Sequence, residues 1–87
     1  MKYKDKNTGE IVEAIKWNGK VDYELCSFID GGKNLFMDAS PYGGIDVMIR
    51  GCRNASYFFV GYYIVKHKEN DFSEYNEEKF NEIYDKI

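Results

Sequence analysis

Apolar and polar residues alternate along several stretches of this chain and follow helical spacing in two others. In "EIVEAIKW", Ile11, Glu13, Ile15 and Trp17 fall on one side and Val12, Ala14 and Lys16 on the other, the period of a strand. The preceding "KYKDK" is separated from it by "NTG", a turn signal, so the two read as a first hairpin. "WNGK" then turns the chain through Asn18 and Gly19. "DYELCSFIDGG" predicts a short helix, with Asp22 as N-cap, Leu25, Phe28 and Ile29 on one face and Gly31 just past its end.

Beyond it, "NLFMDA" predicts a short strand, "SPYGG" a loop, and "IDVMIR" a strand with Ile45, Val47 and Ile49 on one face. "GCRN" reads as a hairpin connection. It leads into "ASYFFVGYYIVKHK", residues 55–68, where aromatic and aliphatic residues flank Gly61. Here the alternation fails: nearly every position is apolar. A bulge at Gly61 would let the aromatics on both sides reach a core, and this long kinked strand is the reading adopted. "KHKEND" is another turn. In "NEEKFNEIYDKI", Phe80, Ile83, Tyr84 and Ile87 form an i, i+3, i+4, i+7 stripe, with Glu77 and Glu78 in the first turn. The sum is an α+β fold: an antiparallel sheet of four or five strands with two helices, in a single compact domain spanning residues 1–87. The final helix needs an apolar surface. Phe58 and Ile64 are expected to be buried against it, leaving Tyr62 at least partly exposed.

Composition narrows the function. The chain has 87 residues and 17% aromatics, so a small core must be rich in Tyr and Phe. Its net charge is −3, but the segment from His67 to Ile87 holds seven acids and three lysines, more than the whole of that charge. No positive footprint for nucleic acid is evident; an acidic face suits a basic protein surface instead. Cys26 and Cys52 make no disulfide framework. "MKYKDKNTGE" has no apolar run, and no stretch approaches the length of a spanning helix, so the expected place is the cytoplasm with reduced thiols, away from membranes. "NAS" from Asn54 matches a glycosylation acceptor that this location leaves unused.

The chemical motifs are sparse. Cys26, Cys52 and His67 follow no zinc spacing, and ordinary thiols and a surface histidine are the simpler reading. A Cys52–His67 pair would lack the pocket and anion hole of a nucleophilic site. "GGK" at residues 31–33 lacks the rest of a phosphate loop. No catalytic residue, metal or cofactor is assigned.

"IVEAIKWNG" and "GYYIVKHKENDFSEYNEEKFNEIYDKI" resemble a group of small proteins of Firmicute phages and prophages. The matching positions are Glu13, Ala14, Ile15, Trp17, Gly61, Tyr63, Ile64, Val65, Lys66, Asp71, Phe72, Phe80 and Tyr84, over about half the chain. Tyr62, His67 and "SEYNEE" depart from the pattern, as a scaffold re-surfaced for a particular partner would. The resemblance implies a phage-encoded accessory protein in a bacterial host. It would be non-enzymatic and act by binding and blocking a host protein with a basic, nucleic-acid-binding surface, most concretely a CRISPR-Cas nuclease. The expected docking residues are Tyr62, Tyr63, Asp71, Glu74, Tyr75, Glu78, Glu82 and Asp85. One alternative is a module that sequesters a nucleotide signal through Trp17 or Tyr63 with Lys16, Lys66 or Arg53. Another is a structural protein that self-associates through a sheet edge.

Overall fold

The computed structural model describes residues 1–41, 43, 45–54 and 57–87. The N-terminal hairpin forms as the turn signal predicts. Strands β1 (Lys2–Asp5) and β2 (Ile11–Lys16) pair antiparallel with Tyr3 opposite Val12. The Asp5 carboxylate closes the turn by accepting from the amides of Asn7 and Thr8. Helix α1 (Tyr23–Phe28) starts at Asp22, whose side chain accepts from the Leu25 amide at 3.0 Å. It runs into a tight 3-10 turn at Asp30–Gly32, where Gly31 takes φ +79°.

Strands β3 (Leu35–Ala39), β4 (Ile45–Ile49) and β5 (Tyr57–Phe58) make one antiparallel sheet, in that order. The expected loop at residues 40–44 and the start of the expected long strand include Tyr42, Gly44, Ala55 and Ser56, which lie outside the described residues. A second, five-stranded antiparallel sheet has the order β7-β6-β2-β1-β8, where β6 is Tyr63–Lys68, β7 is Asp71–Tyr75 and β8 is Tyr84–Lys86. The α+β architecture is therefore as expected, with the five-stranded sheet at its centre and the second sheet added to it.

The long strand through Gly61 does not exist. The chain leaves the three-stranded sheet after Phe58 and turns at residues 59–62, where the Tyr62 amide donates to the Phe59 carbonyl at 3.0 Å. It then enters the five-stranded sheet at Tyr63. Gly61 sits at φ +91°, a conformation that a residue with Cβ rarely adopts. Its amide donates to the Trp17 carbonyl, tying the corner to the end of β2. Gly61 is thus a corner between sheets, not a bulge in one strand. The bulge lies further on, in β6 between Lys66 and Lys68.

The central sheet carries a buried cluster on each face, the second of them only over β2, β6 and β7. One face carries Tyr3, Val12, Ala14 and Val65 against Phe80 and Tyr84. The other packs Ile15, Trp17, Ile64 and Phe72 against Leu25 and Ile29 from α1 and against Val47, Ile49 and Phe58 from the three-stranded sheet. Phe58 and Ile64 are buried, but on the face away from the final helix. That corrects the expectation that they pack beneath it: side chains alternate along β6, and Val65 faces the helix while Ile64 faces the second sheet.

Helix α2 (Glu77–Ile83) is shorter than the apolar stripe suggests. Asn76 caps it by accepting from the Lys79 amide at 2.8 Å. At Tyr84 the backbone becomes extended (φ −121°, ψ 144°) and β8 pairs with the edge of β1, Tyr84 lying opposite Asp5. Tyr84 remains buried, whereas Ile87 is exposed. At the other end of the molecule a polar knot joins three segments. Asp30 accepts from Lys66 Nζ and from the Asn70 amide, and the Asn70 side chain accepts from Asn34.

Candidate interaction surface

The expected docking residues do not converge. Tyr63 and Tyr75 point toward α2, and the Tyr63 ring is stacked on Phe80. Glu74 lies opposite Ile64 on the other face and is only 3% exposed, so it is not a surface acid. Its place on the sheet pleat forces it inward, one residue after Ser73. Asp71 is held by Arg53 in a two-pronged ion pair at 2.6 and 2.7 Å, and this partner holds its carboxyl below the usual range. Glu78, Glu82 and Asp85 are exposed on α2 and β8, where Glu82 pairs with Lys79 and Asp85 with Lys6. Tyr62 is half-buried beside the corner turn, its ring edge-on to Phe59 at 5.5 Å. Tyr63 and Tyr75 thus share the α2 side of the central sheet with Glu78 and Glu82, while Tyr62 and Glu74 lie on the other side.

The residues weighed for a nucleotide are each engaged within the fold. Trp17 is buried, meets Phe58 edge-on at 5.0 Å and donates its indole N–H to the Lys20 carbonyl. Lys16 pairs with Glu77, Lys66 with Asp30 and Arg53 with Asp71.

A different surface is open. Between the three-stranded sheet and the corner turn lies a groove of about 1010 Å³, lined by Trp17, Met37, Val47, Phe58, Phe59 and Val60, with Asp46 among its polar lining. Val60 (66% exposed), Phe59 (55%) and Met37 (52%) give it an exposed apolar rim. Its geometry follows from the chain. Met37, Val47 and Phe58 share one face of the second sheet through the register Met37–Val47–Phe58. That face is covered at Val47 and Phe58 but overhangs the central sheet at Met37. The corner at Gly61 pushes Phe59 and Val60 outward beside it. Exposed apolar side chains gathered around a groove make it a candidate docking surface. No family model, curated protein or solved structure matches this chain.

Sequence reasoning read Phe59 and Val60 as parts of a strand, and the signal that could have moved them is the glycine itself. Glycine supplies the positive φ that several tight turns require, so it marks a turn as well as a bulge.

One constellation has the order of a catalytic relay. His67 Nε2 lies 2.7 Å from Ser73 Oγ, and His67 Nδ1 lies 3.3 Å from both Glu10 carboxylate oxygens. The β6 bulge places His67 across from the start of β2. Ser73 is 1% exposed, however, and a nucleophile must meet its substrate. The arrangement satisfies a buried hydroxyl and pins β6, β7 and β2 together. His67 is thereby committed to Ser73 and Glu10 rather than to Cys52, whose thiol lies 3.6 Å from Asn54 Oδ1. No group of three or more His, Cys, Asp or Glu side chains placed to hold a metal occurs among the described residues. No helix among them is long and apolar enough to cross a membrane.

Proposed function

We propose that this chain is a non-enzymatic, phage-type counter-defence protein that binds a host protein and blocks it, most concretely a CRISPR-Cas nuclease. The observation that carries the docking part is the exposed apolar groove between the second sheet and the corner turn. Large side chains on a tight, tethered turn lose little entropy on binding and suit the dehydrated centre of an interface. Asp46 at the groove and the net charge of −3 favour a partner with a basic surface. The host and the nuclease come from the resemblance to Firmicute phage proteins.

In this reading Phe59, Val60 and Met37 replace Tyr63, Glu74 and Tyr75 as contact residues, and Tyr62 stays at the margin. Glu78 and Glu82 on α2, across the central sheet, and Asp85 on its edge strand β8 contribute long-range attraction rather than contacts. The test is binding to purified guide-loaded Cas nucleases, with DNA cleavage measured in parallel. Phe59→Asp should weaken binding by about tenfold or more, mainly through faster dissociation, while leaving the melting temperature nearly unchanged. Glu78→Lys with Glu82→Lys should lower the association rate and its salt dependence. Nucleases that neither bind nor slow would overturn the nuclease reading. Binding that ignores Phe59→Asp would overturn the groove.

A further inference from the structure

The free edge of β3 has a complementarity that the docking groove does not require. Among the described residues β3 has one neighbour, β4, and its other edge is open. The Arg50 amide donates to the Asn34 carbonyl across the β3–β4 pair. In an antiparallel ladder the residues exchanging hydrogen bonds alternate, so Asn34, Phe36 and Asp38 direct their backbone groups toward Arg50, Met48 and Asp46. Leu35, Met37 and Ala39 therefore direct their N–H and C=O groups outward. Natural edges are commonly blunted by lysine, proline or a bulge; β3 carries no lysine or proline, its one charged residue is Asp38, and its pairing with β4 runs in unbroken register.

The side chains along this edge are polarised. At its C-terminal end Asp38 stands directly opposite Asp46, a like-charge cross-strand pair that neither strand relieves. Toward its N-terminal end the Arg50 guanidinium lies over the Phe36 ring, 5.3 Å from the centroid, and so leans out from β4 onto β3. The middle is apolar, with Phe36 and Met37 exposed. An edge that is acidic at one end, cationic at the other and apolar between is complementary to itself in the antiparallel sense.

We infer that β3 is the contact strand of a homodimer, pairing antiparallel with β3 of a second copy about a two-fold axis at Met37. That register sets Leu35 opposite the second copy's Ala39 and Met37 opposite its own equivalent, so every outward N–H and C=O of Leu35, Met37 and Ala39 is satisfied. On the outer face it sets Asp38 opposite the second copy's Phe36, the ring that carries Arg50. Each Asp38 thereby gains a guanidinium partner, which offsets its repulsion from Asp46. The two three-stranded sheets become one continuous six-stranded sheet. The contact is isologous and closes on itself, so it yields a dimer and not a filament. It is small, and the dimer forms at micromolar rather than nanomolar concentration.

Sedimentation across micromolar to sub-millimolar concentrations tests this. The weight-average mass should rise from that of the 10.2 kDa chain toward twice that value. Asp38→Lys alone and Arg50→Glu alone should each raise the dimer dissociation constant by about tenfold or more. The combined charge swap should restore most of the loss. Amide exchange of the unsubstituted protein reads the same edge without any variant: Leu35, Met37 and Ala39 should gain protection on concentration, while Phe36 and Asp38 stay protected at every concentration. A monomer throughout the range overturns the inference. So does a dimer that ignores both single substitutions, a swap that fails to rescue, or exchange at Leu35, Met37 and Ala39 that does not depend on concentration. Met37 also stands on the groove rim, so nuclease binding is read separately, at concentrations where the chain is monomeric.

Discussion

The ring of Tyr63 lies flat on that of Phe80, with centroids 4.0 Å apart and planes 4° from parallel. Tyr3 meets the same phenylalanine edge-on at 4.8 Å, and Tyr84 closes from a third side at 5.1 Å. Phe80 is therefore the point at which α2, β1, β6 and β8 meet. A helix as short as Glu77–Ile83 does not hold together alone, and this cluster supplies its packing.

Phe80→Ala should accordingly cost about 3–5 kcal/mol, since it empties the centre of an aromatic cluster. Tyr62→Ala, at the half-buried margin of the opposite face, should cost about 1 kcal/mol. Urea denaturation of the two variants measures both. A Phe80→Ala protein that is nearly as stable as the parent would mean that the helix is not anchored through this ring.

Asn54 holds an edge that would otherwise be open. Its Oδ1 accepts from the Glu74 amide at 2.9 Å and its Nδ2 donates to the Glu74 carbonyl at 2.6 Å, so one side chain stands in for a strand along β7. The Arg53 amide donates to the Phe72 carbonyl just before it. Asn54→Ala leaves both Glu74 groups unpaired and should cost about 1–3 kcal/mol in urea denaturation. Amide exchange at Glu74 should accelerate in the variant; unchanged exchange there would show that the strap is not what protects β7.

Local rules were legible in the sequence and tertiary ones were not. Asp22 and the "NTG" turn act through neighbours a few residues away, and both behave as their chemistry predicts. The stripe Phe80–Ile83–Tyr84–Ile87 keeps helical spacing to its end, yet the helix stops at Ile83 because the edge of β1 offers pairing that no spacing reveals. "DFSEY" carries no clear strand signal, because the adjoining turn and its charges mask an alternation that buries Phe72 and Glu74 on one side and Ser73 on the other. The candidate surface was missed for a related reason. In "FFVGYYIV" every position is apolar, so nothing marks which residues leave the core when the chain changes sheets.

Gly61 offers a direct check on that change of sheets. A Cβ there would meet nothing within 4 Å, so any penalty comes from the backbone at φ +91° and not from a clash. Gly61→Ala should destabilise by about 1 kcal/mol, and Gly61→Asn by less, because Asn tolerates the left-handed region better. Thermal melts of the pair decide it. Equal losses would point to a steric cause.

The last prediction concerns Glu74, whose two carboxylate oxygens are buried with no hydrogen-bond partner among the described residues. Burial away from water disfavours its charged form and pushes the pKa from 4.5 up to about 7. The sign follows from which state binds the proton more tightly. Below pH 4.5 the carboxyl is neutral folded and unfolded, and its ionisation costs the fold nothing. Between 4.5 and about 7 the unfolded chain ionises first, so stability falls as pH rises, and above about 7 the loss is complete. Asp30 and Asp71 work the other way. Lys66 and Arg53 hold them below the ordinary 3.8, so their contribution is present above that value and is lost as pH falls through it. The stability optimum should therefore lie on the acidic side of neutrality. In melts from pH 5 to pH 8 the parent should lose several degrees. Glu74→Gln, which keeps the volume and removes the titration, should change little and should be the more stable of the two at pH 8. A parent whose melting temperature is flat across this range would mean that Glu74 ionises without penalty, and therefore that its carboxylate has a partner in solution.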